Sequence, residues 1–387
     1  MITRTASEKV LQLARQFKAV AIMGPRQSGK TTLSRMCFPE KAYISLENPE
    51  NRDFALSDPA GFLKTYPDGA ILDEVQRVPE LLSWLQQDID EDFRRGKFIL
   101  TGSNNLLLLE KITQTLAGRV AYLDLLPLST EELTQHPSSL ENLNQLLYAG
   151  AYPSVQIEGV DAKDWYASYV RTYIERDVRQ IRNIENLLAF EKVLALCAGR
   201  IGQQLSYSNL SIEAGVDSKT VQSWLGILQA SYILHFLPPY FKNFNKRVVK
   251  TPKLYFYDTG LACYLLRMQS SEILAQHPLR GAVFENFVLN ELMKGKLNRG
   301  LRPNLYYWRD SSGHEVDIIA DEGNHIIPIE VKSGQTITSD YAKGLKFWEM
   351  LTGESGGLIY YGGDGRQDRS DQIRIRSWKA LQSQPQF

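Results

Sequence analysis

The sequence predicts an α/β chain in three successive parts: a parallel sheet around a phosphate-binding loop, a helical section, and a second, smaller α/β domain. Three observations predict it. The apolar run "AVAIM" leads straight into "GPRQSGKTTL", the strand–loop–helix setting of a phosphate loop. Two further apolar runs, "GAILDE" and "KFILTGSN", each stop in polar residues, as buried parallel strands do at their functional ends. Near the C-terminus, "GHEVDIIADEGNHIIPIEVK" alternates apolar and polar residues at period two around turn residues.

Size and composition set the bounds. The chain has 387 residues, 43% hydrophobic and 23% charged, which is ordinary globular composition and enough for two or three domains. Net charge is +0, so nucleic-acid binding must rest on local patches rather than bulk charge. Cys37, Cys197 and Cys263 are isolated in sequence, which argues against a disulfide framework or a zinc ribbon. No apolar run reaches transmembrane length and no signal-peptide pattern is present, so the expectation is a cytoplasmic protein with no membrane partner.

The first part carries the most specific pattern. Gly24 and Gly29-Lys30-Thr31 complete G-x-x-x-x-G-K-[ST]. Glycines let the backbone wrap a polyphosphate, and N–H groups at the helix start point at it. Gly24, Pro25, Arg26, Gln27, Ser28, Gly29, Lys30, Thr31 and Thr32 are therefore the candidates to hold a nucleotide. Lys30 would reach the β- and γ-phosphates and Thr31 would bind Mg²⁺. Asp73 ends the second apolar run and can hold Mg²⁺ through water; its neighbour Glu74 can orient or deprotonate the attacking water. Taken alone, the pair is an acidic turn after a strand; downstream of a phosphate loop, the catalytic reading is preferred. Ser103-Asn104 ends the third run, where Asn104 can touch the γ-phosphate or the water, or where either residue caps a helix. Arg119 in "LAGRV" is either a surface arginine or a cation for the γ-phosphate, in cis or from a neighbouring subunit.

The order "GPRQSGKTTL", "ILDEVQRVPEL", "ILTGSN", "LAGRV" resembles the AAA-type ATPases labelled AAA_14, within the AAA+ superfamily. Those proteins usually carry a C-terminal region labelled DUF4143, and the later stretches "YVRTYIERDV", "YDTGLACYLL" and "GAVFENFVLNEL" also resemble that family. The resemblance spans nearly the whole chain. It implies an AAA+-type sheet that uses ATP and Mg²⁺, with Asp73 and Glu74 as the Walker B pair. It also puts Ser103-Asn104 at the sensor-1 position and makes Arg119 the arginine of an "AGR" motif, leaving open whether it acts within its own chain or across a homo-oligomer.

The middle reads as helices. Apolar residues recur at helical spacing from Tyr166 to Ile181, with Arg171, Arg176, Arg179 and Arg182 on the same stretch; a solvated face is preferred over a lid arginine. "LSYSNLSIEAGVDSKTVQSWLGILQASYIL" gives helix, turn at Gly215, helix, with Ser208 expected to cap the first and Asp217 or Ser218 the second. This is helix-turn-helix spacing, with Leu210, Ala214, Val216, Val221, Leu225 and Leu228 as its small core. The outer face, Ser218, Lys219, Gln222 and Ser223, offers one cation to a DNA groove. Lys242, Lys246, Arg247, Lys250 and Lys253 follow, with Tyr240, Phe241 and Phe244 among them. This is either a wing on a phosphate backbone or part of a mechanical, partner-binding winged helix.

The last part holds a second constellation. With Glu322-Gly323 as a two-residue turn, Asp317 faces Pro328, and Asp317, Glu330 and Lys332 share a polar face. Ile327, Ile329, Val331, Val316 and Ile318 share the core face, where the register also puts His325. Two nearby carboxylates repel unless a cation joins them, and hard oxygen ligands suit Mg²⁺. A lysine beside the metal fits phosphodiester hydrolysis. Glu285, at the border of a helix's apolar side, is a fourth candidate. The order of helix Glu, strand Asp and Glu-x-Lys is similar to PD-(D/E)xK nucleases. That likeness implies a restriction-endonuclease-like domain with Asp317, Glu330 and Lys332 as its triad and Glu285, Asp317 and Glu330 on metal.

The expected organisation is thus an AAA+-type ATPase core over residues 1–155, a helical lid and winged helix over 156–260, and a DUF4143 nuclease-like domain over 261–387. Two functions follow. In one, ATP turnover is coupled to engagement of DNA. In the other, the chain is a regulatory or partner-binding ATP switch, antitoxin- or defence-like, with a catalytically silent nuclease-like domain.

Overall fold

A computed structural model describes residues 2–103, 116, 118–174, 186–241 and 250–383. The chain forms two compact units. The first gathers Met1–Leu128, Ala230–Tyr232 and Lys296–Leu301; the second gathers Ser129–Gln229, Ile233–Gly295 and Arg302–Phe387.

In the first unit, β1 (Ala19–Met23), β2 (Ala42–Ser45), β3 (Ala70–Asp73), β4 (Phe98–Gly102) and β5 (Val120–Asp124) form a sheet in the order β2-β3-β4-β1-β5. Every pairing is parallel, as the short uninterrupted apolar runs predict. Both faces of β1 are covered. Ala19, Ala21 and Met23 pack in one core cluster, with Leu72, Phe98 and Leu100. Val20 and Ile22 pack in the other, with Ile71, Ile99 and Leu123. The C-terminal ends of β1, β3 and β4 therefore present the phosphate loop, Asp73 and Thr101 along one edge of the sheet.

The second unit begins with helical segments. Helices Leu187–Ala198, Tyr207–Ala214 and Ser218–Ala230 precede an antiparallel pair, β6 (Leu234–Leu237) and β7 (Lys253–Phe256). Gly215 takes φ 74°, the left-handed conformation a tight interhelical turn needs. Asp217 caps the later helix through Thr220 N (2.9 Å). The earlier helix is capped by Ser206 rather than Ser208, because it starts at Tyr207. Leu210, Ala214, Val221, Leu225 and Leu228 are buried, while Ser218, Lys219 and Gln222 face outward. Lys242, Lys246, Arg247 and Phe244 lie outside the described residues, as do Arg176, Arg179 and Arg182. Lys253 departs from the expectation of a phosphate-facing wing cation. It is 3% exposed, at the start of β7, among carboxylates.

The remainder of the unit is a six-stranded mixed sheet in the order β12-β13-β11-β10-β9-β8. Its strands are β8 (Leu305–Arg309), β9 (Glu315–Asp321), β10 (Ile326–Lys332), β11 (Gly357–Tyr361), β12 (Gln367–Asp368) and β13 (Ile373–Ser377). The β9–β10 hairpin forms, but its register differs from the expected one: Pro328 pairs with Ile319 and Ile329 with Ile318, not Pro328 with Asp317. The reason is the turn. Glu322–His325 makes a four-residue loop, closed by Glu322 N to His325 O (3.0 Å), with Gly323 at φ 81°. His325 is exposed in that loop instead of lying on the core face. The offset is two residues, so side-chain parity is unchanged and the polar set still shares a face.

That face is covered at Glu330, while Asp317 and Lys332 stay partly exposed. β10 runs between β9 and β11 in the sheet interior, and Glu330 is 4% exposed. Helix Lys343–Thr352 covers it: a Cβ on Gly344 would lie 2.0 Å from Glu330 Oε1. Only a glycine allows so close an approach.

Candidate functional site

The nucleotide-loop site is assembled from local backbone outward. Gly24 has φ 149°, and a Cβ there would sit 2.2 Å from Leu125 O. Gly29 has φ 93° at the N-terminus of helix Lys30–Cys37, so the chain turns into the helix with its first N–H groups exposed to the loop. Lys30 is 5% exposed and donates from Nζ to Gly24 O (3.0 Å) and Pro25 O (2.6 Å). Burial lowers its pKa to about 8, against the opposing pull of Glu74 and Asp73.

Asp73 collects hydroxyl donors. Thr31 Oγ1 donates to its carboxylate at 3.0–3.2 Å, Tyr43 at 2.7 Å, and Thr101 closely. The adjacency of Thr31 and Asp73 suits a hard divalent cation shared between loop and strand, so this donor set fits Mg²⁺. Glu74 sits in the left-handed region (φ 60°, ψ 46°), which turns its side chain sharply away from the strand. Burial raises its pKa, while Lys30 partly offsets the shift. Gln76 Nε2 donates to Glu74 and to Ser103 Oγ (2.9 Å), tying the ends of β3 and β4 together.

Several members of this site carry no signal in sequence. Arg4 is buried and donates to Ser28 O (2.6 Å) and Leu126 O (2.7 Å), bracing the loop from a position more than twenty residues upstream. Tyr43 and Gln76 stand in ordinary strand and turn contexts. Asp124, at the end of β5, accepts from Tyr232, and burial raises its pKa. Asn104 lies outside the described residues.

Arg119 is placed elsewhere. It immediately precedes β5, and its carbonyl accepts from Ala19 N at the start of β1. The phosphate loop follows the other end of β1. The strand's length therefore separates Arg119 from the loop of its own chain, which corrects the reading of Arg119 as a cation acting in cis. Its guanidinium makes a two-point contact with Asp90, Nη2 to Oδ2 at 2.8 Å.

The second constellation does converge. Asp317 Oδ2 accepts from Val331 N (2.8 Å) and faces Lys332 Nζ (3.3 Å), which also pairs closely with Glu330. Glu285, from helix Arg280–Leu297, accepts from Tyr255 and pairs with Lys253 Nζ (3.1 Å); Lys253 also pairs with Glu315. Arg309 Nη1 meets Glu315 on the outer side (2.8 Å). Burial and the Asp317 charge push the Glu330 carboxyl well above its usual range. Glu285 is raised by burial, only partly offset by Lys253. Burial would raise Asp317 as well, but Lys332 and Lys253 bring it below its usual value.

The expected four residues thus share one neighbourhood, together with Lys253, Tyr255 and Glu315, which sequence reading did not assign to it. Among the described residues, however, no three histidine, cysteine or carboxylate side chains form a group able to hold a metal ion. Ammonium groups stand between the carboxylates. The expectation that Glu285, Asp317 and Glu330 together hold a cation does not fit this arrangement.

Residues 16–134 match the family model described as an AAA domain. Residues 140–272 match the domain of unknown function DUF8612, and residues 280–381 match DUF4143. The uncharacterized proteins Rv2008c of Mycobacterium tuberculosis and Mb2031c of Mycobacterium bovis are each 30% identical over 338 residues, covering 86% of this chain and 74% of theirs. Among solved structures, the Walker-type ATPase PABY2304 of Pyrococcus abyssi is 16% identical with a TM-score of 0.46. That match covers 67% of this chain and 94% of that one. None of the described helices is long and apolar enough to cross a membrane.

Proposed function

The chain belongs to the family of AAA-type P-loop ATPases that carry a C-terminal DUF4143 region, and on that premise we propose that it binds and hydrolyses ATP at the edge of the parallel sheet. One observation carries this reading: Lys30 and Thr31 at the start of one helix, and Asp73 and Glu74 at the end of β3, meet beside the loop Gly24–Thr32. Loop N–H groups and the Lys30 ammonium bind and orient the β- and γ-phosphates. Mg²⁺, held by Thr31 and Asp73, would supply charge neutralisation on the bridging oxygens. Glu74 orients the attacking water and accepts its proton; its raised pKa and its bond from Gln76 suit a base held in one position. An Arg119 that serves a γ-phosphate would serve that of a neighbouring copy in a homo-oligomer; its two-point contact with Asp90 supports the alternative, a surface arginine.

Lys30→Ala tests the assignment. It should abolish ATP hydrolysis in a phosphate-release assay; undiminished turnover would remove the phosphate loop from the mechanism.

For the second unit we infer a winged-helix segment and a PD-(D/E)xK-like domain, with the three-part division of the chain given above. The helix–Gly215–helix arrangement and the β6–β7 pair support the first, and the convergence of Asp317, Glu330, Lys332 and Glu285 supports the second. ATP turnover is then coupled to nucleic-acid engagement in a cytoplasmic setting. A specific observation favours the other reading, an ATP switch whose nuclease-like domain is catalytically silent. Lys253, expected on a DNA-facing wing, is buried between Glu285 and Glu315. A cleavage assay on duplex and branched DNA with Mg²⁺ or Mn²⁺, with and without ATP, separates the two.

A further inference from the structure

The carboxylates of the second unit carry more negative charge than their surroundings would tolerate unaided. Glu285, Glu315, Asp317 and Glu330 approach one another from a helix and two strands. Buried like charges at such range must protonate or acquire a cation. The second response is visible. Lys332 spans Asp317 and Glu330, and Lys253 spans Glu285 and Glu315. Lys332 belongs to the same strand as Glu330, whereas Lys253 is delivered by β7, a strand of another sheet. Its ammonium also lies 5.4 Å from the centre of the Tyr307 ring, so its approach is fixed by packing as well as by charge.

We propose that Lys253 is a built-in cation that closes this cluster: with Lys253 in place the site takes no divalent metal ion, and without it the site becomes one that does. Three features bear on this. A divalent ion shared by Glu285 and Asp317 would face a positive charge already 3.1 Å from Glu285, in surroundings where repulsion is poorly screened. Glu330 offers little in compensation. Among the described residues, one of its oxygens has no hydrogen-bond partner and lies beneath Gly344, where a Cβ would meet it at 2.0 Å, and its other oxygen already pairs with Lys332. Removing Lys253 leaves Glu285 and Glu315 without their shared ammonium, and Asp317 without a second nearby cation. Oxygen donors with no internal counter-charge are what Mg²⁺ and Mn²⁺ seek. The inference stands apart from the ATPase reading, since the residues and the readout are different.

The test is a Mn²⁺ titration of the full chain without nucleotide, counting free ion by electron paramagnetic resonance. Asp317→Asn in the otherwise unchanged protein should leave the stoichiometry unaltered. Lys253→Met should gain about one tightly held ion per chain, with oxygen ligands of the kind Mn²⁺ prefers. The double variant Lys253→Met/Asp317→Asn should lose it. A Mn²⁺ ion lost on Asp317→Asn alone, or a folded Lys253→Met chain with no gain, overturns the proposal. If Lys253→Met does not fold, the comparison of wild type with Asp317→Asn decides: equal stoichiometry supports closure, and a lost ion refutes it.

Discussion

Lys30 is the residue whose charge state matters most to nucleotide binding. Its pKa of about 8 means that the free protein carries an ammonium there below that pH and a neutral amine above it. A polyphosphate requires the ammonium. Binding above pH 8 must therefore take up a proton, and affinity should fall by about tenfold per pH unit once Lys30 is neutral. Well below pH 8 the Lys30 contribution to proton uptake and to pH dependence should vanish. Calorimetry in buffers of different ionisation enthalpy measures both, and a flat affinity between pH 8 and 9.5 would contradict the assignment. At this scale sequence is informative where a motif fixes spacing. Lys30, Thr31 and Asp73 are legible because loop, helix and strand end impose their positions. Arg4, Tyr43 and Gln76 are not, because each reaches the site through the fold rather than through neighbours in the chain.

Elements are read from periodicity, and periodicity determines parity better than register. The alternation in β9 and β10 correctly groups Asp317, Glu330 and Lys332 on one face. It cannot distinguish a two-residue turn from the four-residue one that forms, since both preserve which side each residue faces. Nor does it reveal that a helix closes over the polar face, for a covered carboxylate and a solvated one look alike in a strand pattern. Gly344 provides a test of that cover. An alanine in a helix interior ordinarily gains about 0.5–1 kcal/mol over glycine. Here its methyl would meet Glu330 Oε1 at 2.0 Å and Glu315 O at 2.7 Å, so the helix must lift off the sheet. Gly344→Ala should therefore destabilise the protein by about 1–3 kcal/mol, the usual range for overpacking. Urea denaturation reads the sign directly. A midpoint that rises would mean that the helix does not press on the cluster.

At the scale of the whole molecule, Arg119 and the phosphate loop occupy opposite ends of β1 and its neighbour β5. A single copy cannot bring them together, which a linear sequence containing both does not disclose. Arg119→Ala keeps an intact loop but lacks the arginine, and Lys30→Ala keeps the arginine but lacks a working loop. Mixed in equal amounts, the two should hydrolyse ATP several-fold faster than the sum of their separate rates, given the 10³- to 10⁵-fold effect such arginines have elsewhere. Strictly additive rates would show that Arg119 does not serve a partner.

The nucleotide-binding unit also draws on residues far along the chain, Ala230–Tyr232 and Lys296–Leu301, and Tyr232 supplies the hydroxyl that Asp124 accepts. Gly300 lies against Lys9, where a Cβ would come within 2.5 Å of the lysine side chain. This has a genetic consequence. A reading frame stopped after codon 128 would encode every Walker residue and still omit two of the three stretches that complete the unit. Such a fragment would leave Asp124 without the hydroxyl of Tyr232. A single crossover after codon 128 would part the Walker residues from two stretches of their own unit.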